Sequence, residues 1–141
     1  MKNKGLWLYG LSGSGKTFLS KKFSKIIKNS FIIDGDVVRK FISFDLGYKL
    51  ADRIKQNYRV LGIARLVMKN GYYPIISTVY LDPKVFLKAK KCQIRFINVL
   101  APPNRINKKL LNKRNVVGKS IKQPKINCET YQNYIAKKVK N

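Results

Sequence analysis

The sequence predicts an α/β fold in which a parallel sheet is flanked by helices on both faces. Short apolar runs of strand length alternate along the chain with longer segments whose apolar residues recur at helical spacing. Strands that alternate with helices in this way form parallel sheets that are buried on both sides. No linker, internal repeat or low-complexity segment interrupts the 141 residues, so we expect one domain that spans residues 1–141.

The individual elements follow from apolar spacing and from the residues that start and stop helices. Strands are predicted at residues 5–9, 31–33, 74–79 and 93–100, and helices at residues 18–28, 37–41, 51–69 and 83–90. Gly71 should close the helix at 51–69. Later in the chain we predict a helix at 104–111, a loop at 112–125, an edge strand at 126–128, and a closing helix marked by Tyr131, Tyr134, Ile135 and Val139.

A glycine-rich stretch, YGLSGSGKTFLS, joins the first predicted strand to the first predicted helix. It fits the pattern G-x-x-x-x-G-K-[ST], a P-loop whose backbone N–H groups close around phosphate oxygens. The lysine reaches the β and γ phosphates, and the final hydroxyl can ligate Mg²⁺. The residues predicted to bind the nucleotide here are Gly10, Ser12, Gly13, Ser14, Gly15, Lys16 and Thr17, with Thr17 as the metal ligand.

The composition restricts the chemistry and the compartment. The chain has no histidine, so a carboxylate is the expected general base. Cys92 and Cys128 lack metal-ligand spacing and are predicted to be free thiols of a cytoplasmic protein. Neither a secretory signal nor a run of membrane-spanning length is recognisable, so no membrane partner is expected.

The charge balance is extreme, because 31 Lys and Arg stand against 6 Asp and Glu, a net charge of +25. Such a chain is attracted to polyanions, either nucleic acid or highly phosphorylated small molecules. Lysine accompanies many Asn and Ile residues, however, and much of the excess is expected to be a solvated surface. Because of the P-loop, we expect a small nucleotide as the partner and regard nucleic acid as the less favoured one.

Two of the scarce acids, Asp34 and Asp36, follow the second predicted strand. Ligands of parallel sheets bind beyond the carboxyl ends of the strands, so these carboxylates should meet the P-loop at one cleft. A carboxylate near the γ phosphate can orient an attacking hydroxyl and accept its proton. Asp36 is the candidate for that role, and at least one of the pair should also cap the following helix.

The segments LWLYGLSGSGKTFLSKKF and IIDGDVVRKFISFDLGYKLADRIKQNYRV resemble the adenylylsulfate kinases. These P-loop kinases of sulfate assimilation use ATP and Mg²⁺ to phosphorylate the ribose 3'-hydroxyl of adenylylsulfate. The most specific match is the D-G-D-x-x-R box at residues 34–39, followed by D-L-G-aromatic at 45–48 and Asp-Arg at 52–53.

The resemblance implies roles for particular residues. Lys16 and Asp36 would be catalytic, and Asp36 would face the acceptor hydroxyl. The residues implied to bind the acceptor are Asp34, Asp36, Arg39, Tyr48, Arg53 and Gln56, and Arg105 is implied to lie against the ATP adenine.

The chain also departs from the family pattern. Gln56 replaces a usual asparagine, Val79-Tyr80-Leu81 replaces Ile-Ser-Pro, and the lid near residues 108–125 is shortened. Val116 stands about where a stacking phenylalanine is usual. Residues 115–118, N-V-V-G, resemble a branch that phosphorylates other 5'-modified nucleotides, such as cytidine diphosphoramidate.

Two alternatives to adenylylsulfate therefore stay open. One is a kinase for a nucleotide of the cytidine diphosphoramidate type, and the other is a basic P-loop module that binds nucleic acid with a degraded kinase site. A homodimer is an assembly that the sequence neither requires nor excludes.

Overall fold

A computed structural model of the chain describes residues 3–101 and 116–132. Its strands are β1 (Gly5–Tyr9), β2 (Ser30–Asp34), β3 (Tyr73–Thr78), β4 (Ile94–Val99) and β5 (Glu129–Tyr131). Its helices are α1 (Lys16–Ile26), α2 (Gly35–Phe41), α3 (Leu50–Lys69) and α4 (Pro83–Lys91). The strands pair in parallel in the order β2-β3-β1-β4-β5. The predicted fold class is confirmed.

The central strand β1 buries side chains on both faces of the sheet. Trp7 and Tyr9 belong to the core that α3 and α4 cover, whereas Leu6 and Leu8 belong to the core that α1 covers. Successive strand residues point to opposite faces, so a strand that is apolar at every position needs a helix layer on each side. Burying a side chain of this size contributes about 1.5–3 kcal/mol, which makes β1 the principal anchor of the loop that follows it.

The helices start and stop for reasons visible in the sequence. Asp82 caps α4 by accepting hydrogen bonds from the backbone N–H groups of Lys84 and Val85, with Pro83 as the first helical residue. Gly71, with a φ of 83°, follows the end of α3. Such a left-handed residue terminates a helix at little cost when it is glycine. The predicted boundaries of these helices agree with the structure to within one residue.

The carboxyl-terminal part of the sequence prediction was wrong in two places. Among the described residues the last strand is Glu129–Tyr131 rather than residues 126–128, and Tyr131 lies in that strand rather than in a helix. The strand pairs in parallel with β4, and an exposed bidentate ion pair between Arg95 and Glu129, at 3.1 and 2.6 Å, joins the two strands. Ile126 and Cys128 pack against the core from an irregular segment instead.

Part of the predicted carboxyl-terminal organisation lies outside the described residues. This applies to the helix at 104–111, to residues 108–115 of the lid, and to Tyr134, Ile135 and Val139. Residues 116–121 form a tight turn in which the Gly118 N–H donates to the Ile121 carbonyl at 2.7 Å. The rest of the predicted loop, up to residue 125, contains neither helix nor strand.

Two further observations bear on the expectations from composition. Cys92 and Cys128 are both free cysteines. Among the described helices, none has the length and apolarity to cross a bilayer.

Gly10 is predicted to be required by packing, because a Cβ atom there would lie 2.2 Å from the Val99 carbonyl oxygen. We expect Gly10→Ala to lower the free energy of unfolding by about 2 kcal/mol or more, since neither backbone can yield cheaply. Gly62→Ala is the matched control, because a Cβ on Gly62 of α3 has nothing within 4 Å. It should raise stability by about 0.5–1 kcal/mol through helix propensity. Urea titrations of both variants measure the difference, and equal stabilities would contradict the packing argument.

Candidate functional site

The glycine-rich loop lies between the end of β1 and the start of α1. Gly13 and Gly15 have positive φ angles of 85° and 102°, in a region that residues with a Cβ rarely adopt. Gly15 is also the residue that precedes α1. The loop therefore ends at a helix amino terminus, whose unpaired N–H groups carry partial positive charge and bind anions.

The Lys16 ammonium group is held inside this loop. Its Nζ donates hydrogen bonds to the carbonyl oxygens of Gly10 at 2.6 Å and Leu11 at 3.0 Å. Burial lowers the pKa of Lys16 to about 8, and the carboxylates of Asp36 and then Asp34 oppose that shift. A partly desolvated cation interacts more strongly with an incoming anion than a solvated one does.

One hydroxyl group of the loop is buried without a partner, and two others are exposed. Ser14 is only 4% exposed, and its Oγ has no hydrogen-bond partner within the described part of the chain. Ser12 and Thr17 are exposed to solvent. A buried hydroxyl without a partner is costly, so the Ser14 Oγ is suited to a ligand oxygen such as that of a phosphate.

Asp34 and Asp36 have different tasks at the end of β2. The Asp34 carboxylate caps α2 by accepting a hydrogen bond from the Asp36 N–H at 2.9 Å, which confirms that one of the pair caps the helix. Asp36 occupies the first turn of α2 and is exposed. Asp36 raises the pKa of Lys16 more than Asp34 does. Of the two carboxylates, Asp36 therefore interacts more strongly with the lysine of the loop.

Two arginines stack on one tyrosine beside these carboxylates. The guanidinium carbons of Arg39 and Arg53 lie 4.5 and 5.5 Å from the centroid of the Tyr48 ring. Arg39 also donates to the Gly47 carbonyl at 2.7 Å, and Arg53 to the Tyr48 carbonyl at 3.0 Å. Burial, together with the nearby charge of Arg39, lowers the pKa of Arg53. Two cations kept this close form a ready site for an anion.

Gln56 connects α3 to the Asp34–Asp36 turn. Its Nε2 donates to the Gly35 carbonyl at 3.1 Å, while its Oε1 is buried without a partner among the described residues. The Ser77 Oγ is in the same condition at the end of β3, directly beside Asp34 in the sheet register. Buried polar atoms without partners are rare in folded proteins, and their presence here agrees with a site for a polar ligand.

Two amide side chains that the sequence does not predict hold the loop after β3. Asn57 donates to the Tyr80 carbonyl at 3.0 Å and accepts from the Asp82 N–H at 2.7 Å. Gln123 accepts from the Leu81 N–H at 2.9 Å and donates to the Leu81 carbonyl at 2.8 Å. No local pattern could have found them, because Asn57 and Gln123 lie 23 to 42 residues away from their partners.

The expected adenine contact and the first part of the predicted lid fall outside the described residues. Arg105 and residues 108–115 lie outside the described residues. Val116 is half-buried, and its carbonyl accepts the backbone N–H groups of Lys119, Ser120 and Ile121. The turn at this position therefore supplies an aliphatic side chain instead of an aromatic ring.

Comparison with known families assigns the chain to one of them. The profile of the family described as adenylylsulphate kinase matches residues 2–110. The chain belongs to the adenylylsulfate kinase family. The family is one of phosphotransferases, so the predicted enzyme class is confirmed at that level.

Curated relatives from bacteria and plants agree with this family. The bifunctional enzyme NodQ of Rhizobium sp. strain N33 is 39% identical over 77 residues, which are 52% of this chain and 12% of that protein. Adenylyl-sulfate kinase 3 of Arabidopsis thaliana is 38% identical over 78 residues, 52% of this chain and 38% of the relative. The matched region is thus a minor part of both relatives.

A solved adenylylsulfate kinase structure shares the fold over almost the whole chain. The Mycobacterium tuberculosis APS kinase CysC, in complex with AMPPNP and APS, superimposes with a TM-score of 0.75 and 20% identity. The superposition covers 98% of this chain and 95% of that structure. At this identity the likeness concerns the fold alone.

The pKa of Lys16 makes nucleotide affinity depend on pH. In a complex, phosphate charges would raise the pKa of Lys16 above about 8, so the complex would bind more protons than the free protein. We therefore expect the affinity for a nucleoside triphosphate to be flat below that pH and to fall by up to about tenfold per pH unit above it.

Lys16→Arg is the control for this dependence, because arginine stays charged throughout the range. Its affinity should be lower but should not change with pH. Fluorescence titration with a labelled nucleotide from about pH 7 to pH 9.5 separates the cases. A flat profile for the wild-type protein would contradict the assignment.

Proposed function

We propose that residues 1–141 form one kinase domain that transfers the γ-phosphoryl group of ATP to the ribose 3'-hydroxyl of a 5'-modified nucleotide, most favourably adenylylsulfate. The proposal rests on the charge interaction between Lys16 and Asp36, and on Arg39, which lies one helical turn after Asp36 on α2 and stacks with Arg53 on Tyr48. Transfer between two anionic substrates needs this combination of cations with a single carboxylate.

The glycine-rich loop would bind the donor. Backbone N–H groups from Gly10 to Thr17 and the Ser14 hydroxyl would bind phosphate oxygens, and Lys16 would exchange its carbonyl partners for the β and γ phosphates. Its charge would then follow the phosphoryl group into the transition state. Arg105 is proposed to lie against the adenine.

The exposed hydroxyl of Thr17 is the proposed protein ligand for Mg²⁺. The described residues contain no group of three or more His, Cys, Asp or Glu side chains that could hold a metal. Kinase Mg²⁺ does not need one, because it binds mainly to phosphate oxygens and water with one or two protein ligands. When bound, the ion neutralises charge that develops on the transferred phosphates.

Asp36 would face the acceptor hydroxyl, and Asp34 would hold the turn through its cap on α2. The hydroxyl oxygen attacks the γ phosphorus, the bond from that phosphorus to the β–γ bridging oxygen breaks, and Asp36 accepts the hydroxyl proton. The cytoplasm, which supplies ATP, is the compartment that suits this chemistry.

Arg39 and Arg53 would hold the acceptor's anionic bridge, with Tyr48 near its base and Gln56 behind the Asp34–Asp36 turn. The two guanidinium groups are already oriented by the Tyr48 ring and by backbone carbonyls. Such preorganisation reduces the entropy that is lost when the acceptor binds.

Two bases are candidates for the acceptor nucleotide, adenine and cytosine. Val116 gives no ring for stacking, and aromatic stacking of a base is typically worth about 1–3 kcal/mol. This favours keeping a cytidine diphosphoramidate-type acceptor as the second candidate. The Lys16, Asp36 and arginine arrangement argues against a nucleic-acid module with a degraded site.

An acceptor panel tests the proposed substrate. We expect ATP consumption with adenylylsulfate at least about tenfold faster than with AMP, because AMP lacks the sulfate of the anionic bridge. Cytidine diphosphoramidate should rank second, and excess EDTA should abolish every rate. Coupled ADP detection gives the rates. A preference for an acceptor without a 5' modification would contradict the proposal.

Asp36→Asn tests the general base. It keeps the side-chain size but removes the proton acceptor, so kcat should fall by about 10²–10⁴ while KM for both nucleotides changes by less than about threefold. Glu129→Gln is the control, because it removes an exposed carboxylate of β5 that pairs with Arg95 of β4. It should keep kcat within about twofold. If Asp36→Asn instead raised KM at constant kcat, Asp36 would be a binding group only.

A further inference from the structure

A second basic site lies at the amino ends of the strands, whereas the glycine-rich loop lies at their carboxyl ends. An open surface depression of about 380 Å³ is lined there by four exposed cationic side chains, Lys4, Arg65, Lys69 and Lys91, with Met68, Cys92 and Gln93 beside them. We call this depression the basal pocket.

The basal pocket is separate from the proposed kinase site. Lys4 directly precedes β1, and its backbone N–H donates to the Gln93 carbonyl at 2.9 Å, just before β4. Lys69 is the last residue of α3. Gly10 follows the other end of β1, and a strand of five residues spans about 17 Å. A ligand in the basal pocket would therefore not touch the glycine-rich loop.

No acidic side chain of the protein neutralises these four cations. The whole chain has only six Asp and Glu residues, and none of them lines the basal pocket. Asp45 and Glu129 pair with other arginines, and Asp34 and Asp82 cap helices. Asp52 accepts a hydrogen bond from the Gly47 N–H, and Asp36 lies in the first turn of α2. The surplus positive charge here is therefore not compensated within the protein.

Helix ends account for only part of this charge. Both α3 and α4 end near the pocket, and each helix carboxyl terminus carries about half a negative elementary charge. Lys69 and Lys91, in the last turns of these helices, suit such ends. About three positive charges remain. Arg65 and Lys69 are also four residues apart on α3, an arrangement of like charges that destabilises a helix unless an anion lies between them.

We propose that the basal pocket binds a small anion that carries two or three linked phosphate groups, such as an inorganic oligophosphate or a nucleoside diphosphate. The charge of such a chain, about three or four negative charges, matches the uncompensated cations. A single phosphate would fill little of this volume. The proposal does not depend on the kinase activity, because it uses none of the residues of that site.

Cys92 provides a local reporter of binding. In a Cys128→Ser background it is the remaining thiol, since the chain has two cysteines. We expect tripolyphosphate at low ionic strength to slow the alkylation of Cys92 by iodoacetamide at least about fivefold, by covering the pocket. The same protection should persist when Lys16→Ala is added, which separates this site from the glycine-rich loop.

Two double variants with the same change in net charge test the electrostatic basis. Lys69→Gln with Lys91→Gln removes two cations of the pocket, and Lys21→Gln with Lys25→Gln removes two exposed lysines of α1, one of them also in a last helical turn. The tripolyphosphate concentration for half protection should rise about tenfold in the first and stay within about twofold in the second. Circular dichroism confirms that both variants are folded.

Three outcomes would overturn the proposal. Absence of protection in the wild-type pocket would exclude the site. Equal weakening in both double variants would show a diffuse field of the whole protein rather than a site. Protection by a single-stranded oligonucleotide but not by tripolyphosphate would assign the surface to nucleic acid instead.

Discussion

The Lys16 ammonium group donates hydrogen bonds to two carbonyl oxygens of its own loop, Gly10 at 2.6 Å and Leu11 at 3.0 Å. The glycine-rich loop closes around this cation, and the carboxylates at the end of β2 interact with its charge. The loop can curl around it because Gly10 packs against the Val99 backbone and because Gly13 and Gly15 adopt positive φ. The resulting burial lowers the pKa of Lys16 to about 8. A desolvated cation with carbonyl partners is prepared to exchange them for phosphate oxygens, which offer full negative charge.

Most of the fold could be predicted from the sequence because local patterns determine it. The apolar run at β1, the helical spacing along α3 and the Asp82-Pro83 start of α4 each contain their own signal. The strand β5 does not. It is short, exposed and polar, and its contacts are with a distant part of the chain: Glu129 pairs with Arg95, 34 residues away. The strand was predicted at the apolar residues just before it, which pack against the core without pairing with a strand.

The candidate site divides in the same way. The glycine-rich loop and the D-G-D-x-x-R box are contiguous motifs, so the sequence could name their residues. The supporting contacts are not contiguous. The stacking of Arg39 and Arg53 on Tyr48 depends on the turn between α2 and α3. Asn57 and Gln123 hold the loop after β3 by hydrogen bonds to backbone groups that lie 23 and 42 residues away. Amide side chains have no sequence pattern that predicts which distant backbone they will bind.

In the proposed mechanism, the carboxyl ends of the strands bind both the donor phosphates and the acceptor hydroxyl. A crystal structure with a non-hydrolysable ATP analogue, Mg²⁺ and adenylylsulfate would test this. We expect the Lys16 Nζ to leave the Gly10 and Leu11 carbonyls for the β and γ phosphates, and the acceptor 3'-oxygen to lie within hydrogen-bonding distance of the Asp36 carboxylate. A complex in which Lys16 keeps both carbonyls while the nucleotides bind elsewhere would contradict it.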